Sequence, residues 1–89
     1  MPSISMFYGL VVYLYNMDNL QHKVPHIHIK YQGEFCVVSI PDGDVLAGKL
    51  PTKKLNMVKA WIAIHEEELI TNWELAVNGD TPYRIEPLK

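Results

Sequence analysis

The chain has 89 residues, 48% hydrophobic and 20% charged, with a formal net charge of -2. That length suits one domain, residues 1–89, with a small core and no room for a second. A single cysteine, Cys36, excludes an internal disulfide and the paired thiols of common structural zinc sites, so a reducing, cytoplasmic setting is expected. No apolar run approaches the roughly eighteen residues of a membrane span, and the start of the chain lacks a basic segment followed by an apolar stretch. The charge balance does not mark a nucleic-acid binder in bulk, which leaves local patches to decide.

In chain order, Ile4 to Tyr15 is rich in β-branched and aromatic residues at both parities. This predicts one strand at the centre of a sheet, buried on both faces. Asn16 to Val24 is polar and runs into Pro25, which predicts a loop. His26 to Tyr31 and Glu34 to Ile40 flank Gln32-Gly33, a tight-hairpin signal. A two-residue turn there places Ile27 opposite Val38, Ile29 opposite Cys36, His28 opposite Val37 and His26 opposite Ser39. One face of this hairpin is then core, and the other presents His26, His28, Lys30, Phe35, Ser39 and Leu46. Pro41-Asp42-Gly43-Asp44 turns into a fourth strand, Val45 to Leu50.

From Thr52, read as an N-cap after Pro51, the apolar period becomes helical through Leu55, Val58, Ile62, His65, Leu69, Trp73 and Ala76, and Gly79 ends it. Lys53, Lys54 and Lys59 sit near the start and Glu66, Glu67, Glu68 and Glu74 later, the reverse of what one helix dipole prefers. One long helix, or two consecutive helices broken near His65, both fit. Tyr83 to Pro87 reads as an extended tail able to add an edge strand. The expected fold is α+β: a four-stranded antiparallel meander followed by a C-terminal helix or helix pair packed on one sheet face.

Three of the four histidines, His22, His26 and His28, lie within seven residues. Strand alternation puts His26 and His28 on one face about 6 to 7 Å apart. Two such groups can serve as the acid and base of RNA cleavage without a metal. Lys30, Lys49, Lys53 and Lys54 are candidates for holding phosphate, the last two at a helix start, and Phe35 for stacking a base. Alternatively, His22, His26 and His28 form an open three-ligand set suited to zinc. A third reading makes the histidines ordinary strand residues lining an interface. His65, on the helical seam, reads as a core histidine bonded to backbone or to a tyrosine. Trp61 and Trp73 read as core anchors, and Cys36 as an inert core thiol.

The opening Met1-Pro2-Ser3-Ile4-Ser5-Met6-Phe7-Tyr8-Gly9, the block His22-x-x-Pro25-His26-Ile27-His28-Ile29-x-Tyr31, the Gly43-x-x-x-x-Gly48-x-Leu50-Pro51 region and the helix Trp61-x-x-x-His65-x-x-Glu68-Leu69-x-x-x-Trp73 together resemble the bacterial domain-of-unknown-function 4160 family. The resemblance implies a small cytoplasmic bacterial domain with no reaction attached. Members are often encoded beside another small protein, which implies a toxin–antitoxin-like pairing. The loop departs from the family pattern, with one proline at Pro25 in place of Pro-Pro. The strand histidine and the Gly-x-Leu entry to the helix are also similar to small Hic-type toxins that cleave messenger RNA. In that likeness the catalytic position falls on His26, although the N-terminal part does not match. An open sheet face in so small a domain invites RNA, a cognate small protein or a second copy of the chain.

Overall fold

The computed structural model of the protein describes residues 3–14 and 24–89. Strands β1 (Ser3–Phe7), β2 (Leu10–Tyr13), β3 (His26–Tyr31), β4 (Glu34–Ser39) and β5 (Val45–Gly48) precede helices α1 (Thr52–Ile64) and α2 (Glu66–Val77). The strands lie in sequence order in one sheet, and each neighbouring pair is antiparallel. The described residues thus form an α+β fold with five strands in place of the expected four.

The extra strand arises within the segment expected as one central strand from Ile4 to Tyr15, whose described residues form the β1–β2 hairpin. Tyr8 and Gly9 both take positive φ, 50° and 81°. Two successive left-handed residues reverse the chain with a twist that suits the flanking strands. β1 is therefore an edge, and of this pair only β2 lies inside the sheet. The polar loop expected over Asn16 to Val24 falls almost wholly outside the described residues.

The Gln32-Gly33 turn behaves as its composition requires, with φ of 47° and 81°. Its register pairs Ile27 with Val38, Ile29 with Cys36, His28 with Val37 and His26 with Ser39, as a two-residue loop demands. β5 ends at Gly48, short of the expected Leu50. Gly48 has a φ of 75° and stands so close to β4 that a Cβ there would collide with the Phe35 carbonyl.

The helical segment breaks at His65 into two helices. Glu66, Glu67 and Glu68 thereby occupy the first turn of α2, where carboxylates complement the exposed N–H groups. Thr52 is the first helical residue and Pro51 the N-cap, with no side-chain capping bond, contrary to the expected Thr52 cap. Proline suits this junction because its fixed φ enters the helix without strain. None of the helices among the described residues is long and apolar enough to cross a membrane.

One cluster of buried apolar side chains draws on both sheet and helices, including Val12, Ile27, Ile29 and Val38 with Val58, Trp61, Ile62 and Leu69. The rings of Phe7 and Trp61 meet at 5.3 Å. The tail is not a strand but is tied down at three points. Ile85 N–H donates to the Ile4 carbonyl of edge strand β1 at 2.8 Å. Trp61 Nε1 donates to the Glu86 carbonyl at 2.7 Å. The buried Asn72 amide donates to the Tyr83 carbonyl at 2.7 Å and accepts its N–H at 3.0 Å.

Asn72→Ala removes both partners of the Tyr83 backbone and should lower stability by about 2–4 kcal/mol in a urea melt. Gly48→Ala, which strains φ and forces β5 away from β4, should lower it by about 2 kcal/mol or more. An unchanged midpoint for either variant contradicts the corresponding contact.

Candidate functional site

The site begins at Pro25, whose carbonyl accepts the Ile40 N–H at 2.8 Å and closes this end of the β3–β4 hairpin. His26 follows as the first residue of β3. Its Nδ1 carries the proton that binds the Val24 carbonyl at 2.8 Å, because a carbonyl oxygen can only accept. In the neutral ring the lone pair then lies on Nε2.

Strand alternation brings His28 beside it, with ring centroids 5.2 Å apart and the planes at 65°. The expected pair is therefore real in geometry. Its exposure differs from expectation: His26 is only 1% exposed, while His28 is half-buried. Trp73 of α2 explains this, with its ring 4.8 Å from that of His26. The helical tryptophan expected only as a core anchor thus also lies against the first histidine of the pair. The remaining members of the expected face divide in the same way. Ser39 is buried, and its hydroxyl accepts the Asp44 N–H at 3.0 Å in the following turn.

Two residues beyond His28, Lys30 stands opposite Phe35, and its ammonium lies 5.7 Å from the ring centroid. Both are exposed, Phe35 by 59%. A lysine over an exposed aromatic face is attracted by the ring quadrupole and places a cation beside a stacking surface. Lys49 adjoins them, its N–H donating to the Phe35 carbonyl at 3.3 Å. His28, Lys30, Phe35 and Lys49 therefore occupy one neighbourhood.

Lys53 is exposed in the first turn of α1. Lys54 does not join this neighbourhood. Lys54 donates to the Tyr8 carbonyl at 2.9 Å and lies 5.2 Å from the centroid of Tyr31. Tyr31 has the parity of Ile27 and Ile29, opposite to that of Lys30. Lys54 thus braces the β1–β2 turn against the end of β3. The third expected metal ligand, His22, lies outside the described residues, and among those described no group of three or more His, Cys, Asp or Glu side chains is placed to hold a metal ion.

His65 is separate from the pair. It shares a 2.7 Å contact between its Nδ1 and Glu68 Oε1, and its ring is 5.7 Å from that of Trp61. The expected backbone or tyrosine partner is replaced by a carboxylate because the helix break makes His65 the N-cap and brings Glu68, three residues on, into reach. The joint borders a shallow depression of about 360 Å³ lined by residues 63–68.

A family model described as Domain of unknown function (DUF4160) matches residues 9–74, from the first hairpin turn to near the end of α2. The chain belongs to the DUF4160 family. The matched span includes the histidine pair, Lys30, Phe35 and all three further lysines, whereas Met1 to Tyr8 lie outside it. In comparisons with curated proteins and with solved structures, nothing matches the chain.

Cys36 lies in the core of this DUF4160 chain at 1% exposure, where burial pushes its thiol up from the ordinary 9.0. The folded state holds the thiol proton more tightly than the unfolded state. This contribution is complete below the unfolded value and is lost as pH rises through the folded one. Alkylation by iodoacetamide at pH 8 should be slow in the native protein and fast in urea, and stability should fall as pH rises above about 9. Rapid native alkylation contradicts the placement.

Proposed function

We propose that this DUF4160 domain is a cytoplasmic bacterial protein that binds single-stranded RNA as one component of a two-gene, toxin–antitoxin-like module. The binding surface is the sheet face of His28, Lys30, Phe35 and Lys49. The observation that carries the reading is the Lys30 ammonium 5.7 Å from the exposed Phe35 ring, two residues from His28. Stacking on an aromatic face is available to any unpaired base, and flanking lysines neutralise phosphate. In this reading the helices cover the Ile27 and Ile29 face and, through Trp73, the His26 end of the opposite face, and leave the rest of that face to the ligand.

Binding ranks ahead of cleavage for a geometric reason. An acid and base pair must both reach the reacting atoms, and His26 is 1% exposed against Trp73. His28 is the histidine that meets RNA, and His26 positions its ring from behind. Phosphate falls to Lys30 and Lys49, since Lys54 is already engaged with Tyr8 and Tyr31.

A second reading keeps the same face and changes the occupant. Met6 and Phe35 are exposed by 60% and 59%, and large apolar side chains of this kind suit a cognate small protein or a second copy of the chain.

Fluorescence anisotropy with a labelled single-stranded RNA tests the first reading. Saturable binding should weaken with salt, and Phe35→Ala and Lys30→Ala should each weaken it about tenfold, a loss of about 1.4 kcal/mol within the range of one stacked base. His28→Ala should weaken it as well, with the thermal midpoint little changed for all three. An absence of RNA binding, with a partner protein or self-association lost on Phe35→Ala, would replace RNA by a protein occupant.

A further inference from the structure

We infer that a bound RNA strand crosses the sheet at right angles to the β-strands along one row of side chains, and that Met6 on edge strand β1 is a base-contacting residue at its far end. This deepens the RNA reading above and rests on it.

The row is set by register. Met6 stands opposite Val11, Val11 opposite Lys30 and Lys30 opposite Phe35, while Lys49 is bonded through its N–H to the Phe35 carbonyl. Residues in register on antiparallel neighbours share a face. Their chain neighbours Phe7, Leu10, Ile29 and Cys36 are buried, so the row points away from the core cluster. Its apolar members Met6 and Phe35 are exposed by 60% and 59%, with the half-buried Val11 between Met6 and Lys30.

Strands lie about 4.8 Å apart, so three intervals put Met6 roughly 14 Å from Phe35, and Lys49 lies one interval further. The order along the row is aromatic, cation, aliphatic, thioether, with Lys49 following β5 beside the aromatic end. Two apolar platforms separated by a central ammonium match a strand that lays down bases and passes a phosphate between them. A methionine thioether is polarizable and makes favourable contacts with aromatic rings, a role that a base can fill. The footprint is about four nucleotides, at the short end of single-strand sites. A duplex offers no free base to either platform. A protein occupant fits less well, because lysines are depleted in the dry centres of protein interfaces and the Lys30 ammonium lies over Phe35.

NMR titration of the full chain with RNA oligonucleotides of two and four residues tests the row, using the wild type, Met6→Ala and Phe35→Ala, each checked by its thermal midpoint. The tetranucleotide should shift the amide signals of both Met6 and Phe35, and the dinucleotide only those around Phe35. Met6→Ala should weaken the tetranucleotide about tenfold and leave the dinucleotide unchanged, whereas Phe35→Ala should weaken both. Wild-type binding that Met6→Ala leaves unaltered, or weakens equally for both lengths, overturns the row and keeps the RNA reading. A wild type that binds neither oligonucleotide overturns both.

Discussion

The reversal at Gln32-Gly33 governs what every other part of this molecule can do. With both residues at positive φ, the β3–β4 hairpin closes in two residues and its register has no freedom to slip. That register sends Ile27, Ile29, Cys36 and Val38 into the core. The same pleat sends His28, Lys30 and Phe35 the other way. A slip of one strand against the other would break the pairing of Lys30 with Phe35 and misalign the buried side chains of Cys36 and Val38 against Ile27 and Ile29. The proposed binding face is therefore the geometric complement of the core.

The sheet's two edges and its helices are secured by unlike means. On β1, the Ile85 N–H occupies the Ile4 carbonyl, and Asn72 and Trp61 hold the backbone on either side of that contact. β5 is instead short and irregular, with a register shift between Val37 and Val38 and a glycine at the close approach to Phe35. A bulge and a short span blunt an edge against indiscriminate strand pairing. The helix break at His65 resolves an electrostatic conflict, because it converts three mid-helix glutamates into first-turn residues beside unpaired N–H groups.

Trp73 changes the meaning of the histidine pair. A tryptophan against His26 excludes solvent from one ring and leaves its neighbour half-buried, so two histidines equivalent in sequence become unequal in exposure. The cationic residues divide in a similar way. Lys30 lies over the Phe35 ring and the Lys49 N–H bonds the Phe35 carbonyl, while the Lys54 ammonium is held by the first turn and the Tyr31 ring. The proposed ligand row is what these contacts leave across the sheet.

Period and turn chemistry in the sequence by itself determined the α+β class, the β3–β4 register and the shared face of His26 and His28, while the family was legible through the resemblance of several separated motifs. These rest on neighbours a few residues apart, where alternation and glycine at a turn leave few choices. The hairpin at Tyr8-Gly9 was concealed because Tyr8 is an unusual residue at positive φ and apolar side chains continue on both sides of it. Only the tertiary structure decided that Trp73 would lie on His26, that Lys54 would turn to Tyr8, and that Asn72 would hold the tail. Those contacts join residues such as His26 and Trp73, far apart in the chain and on different elements, and no local pattern encodes where one element's side chain will meet another's until the core has closed.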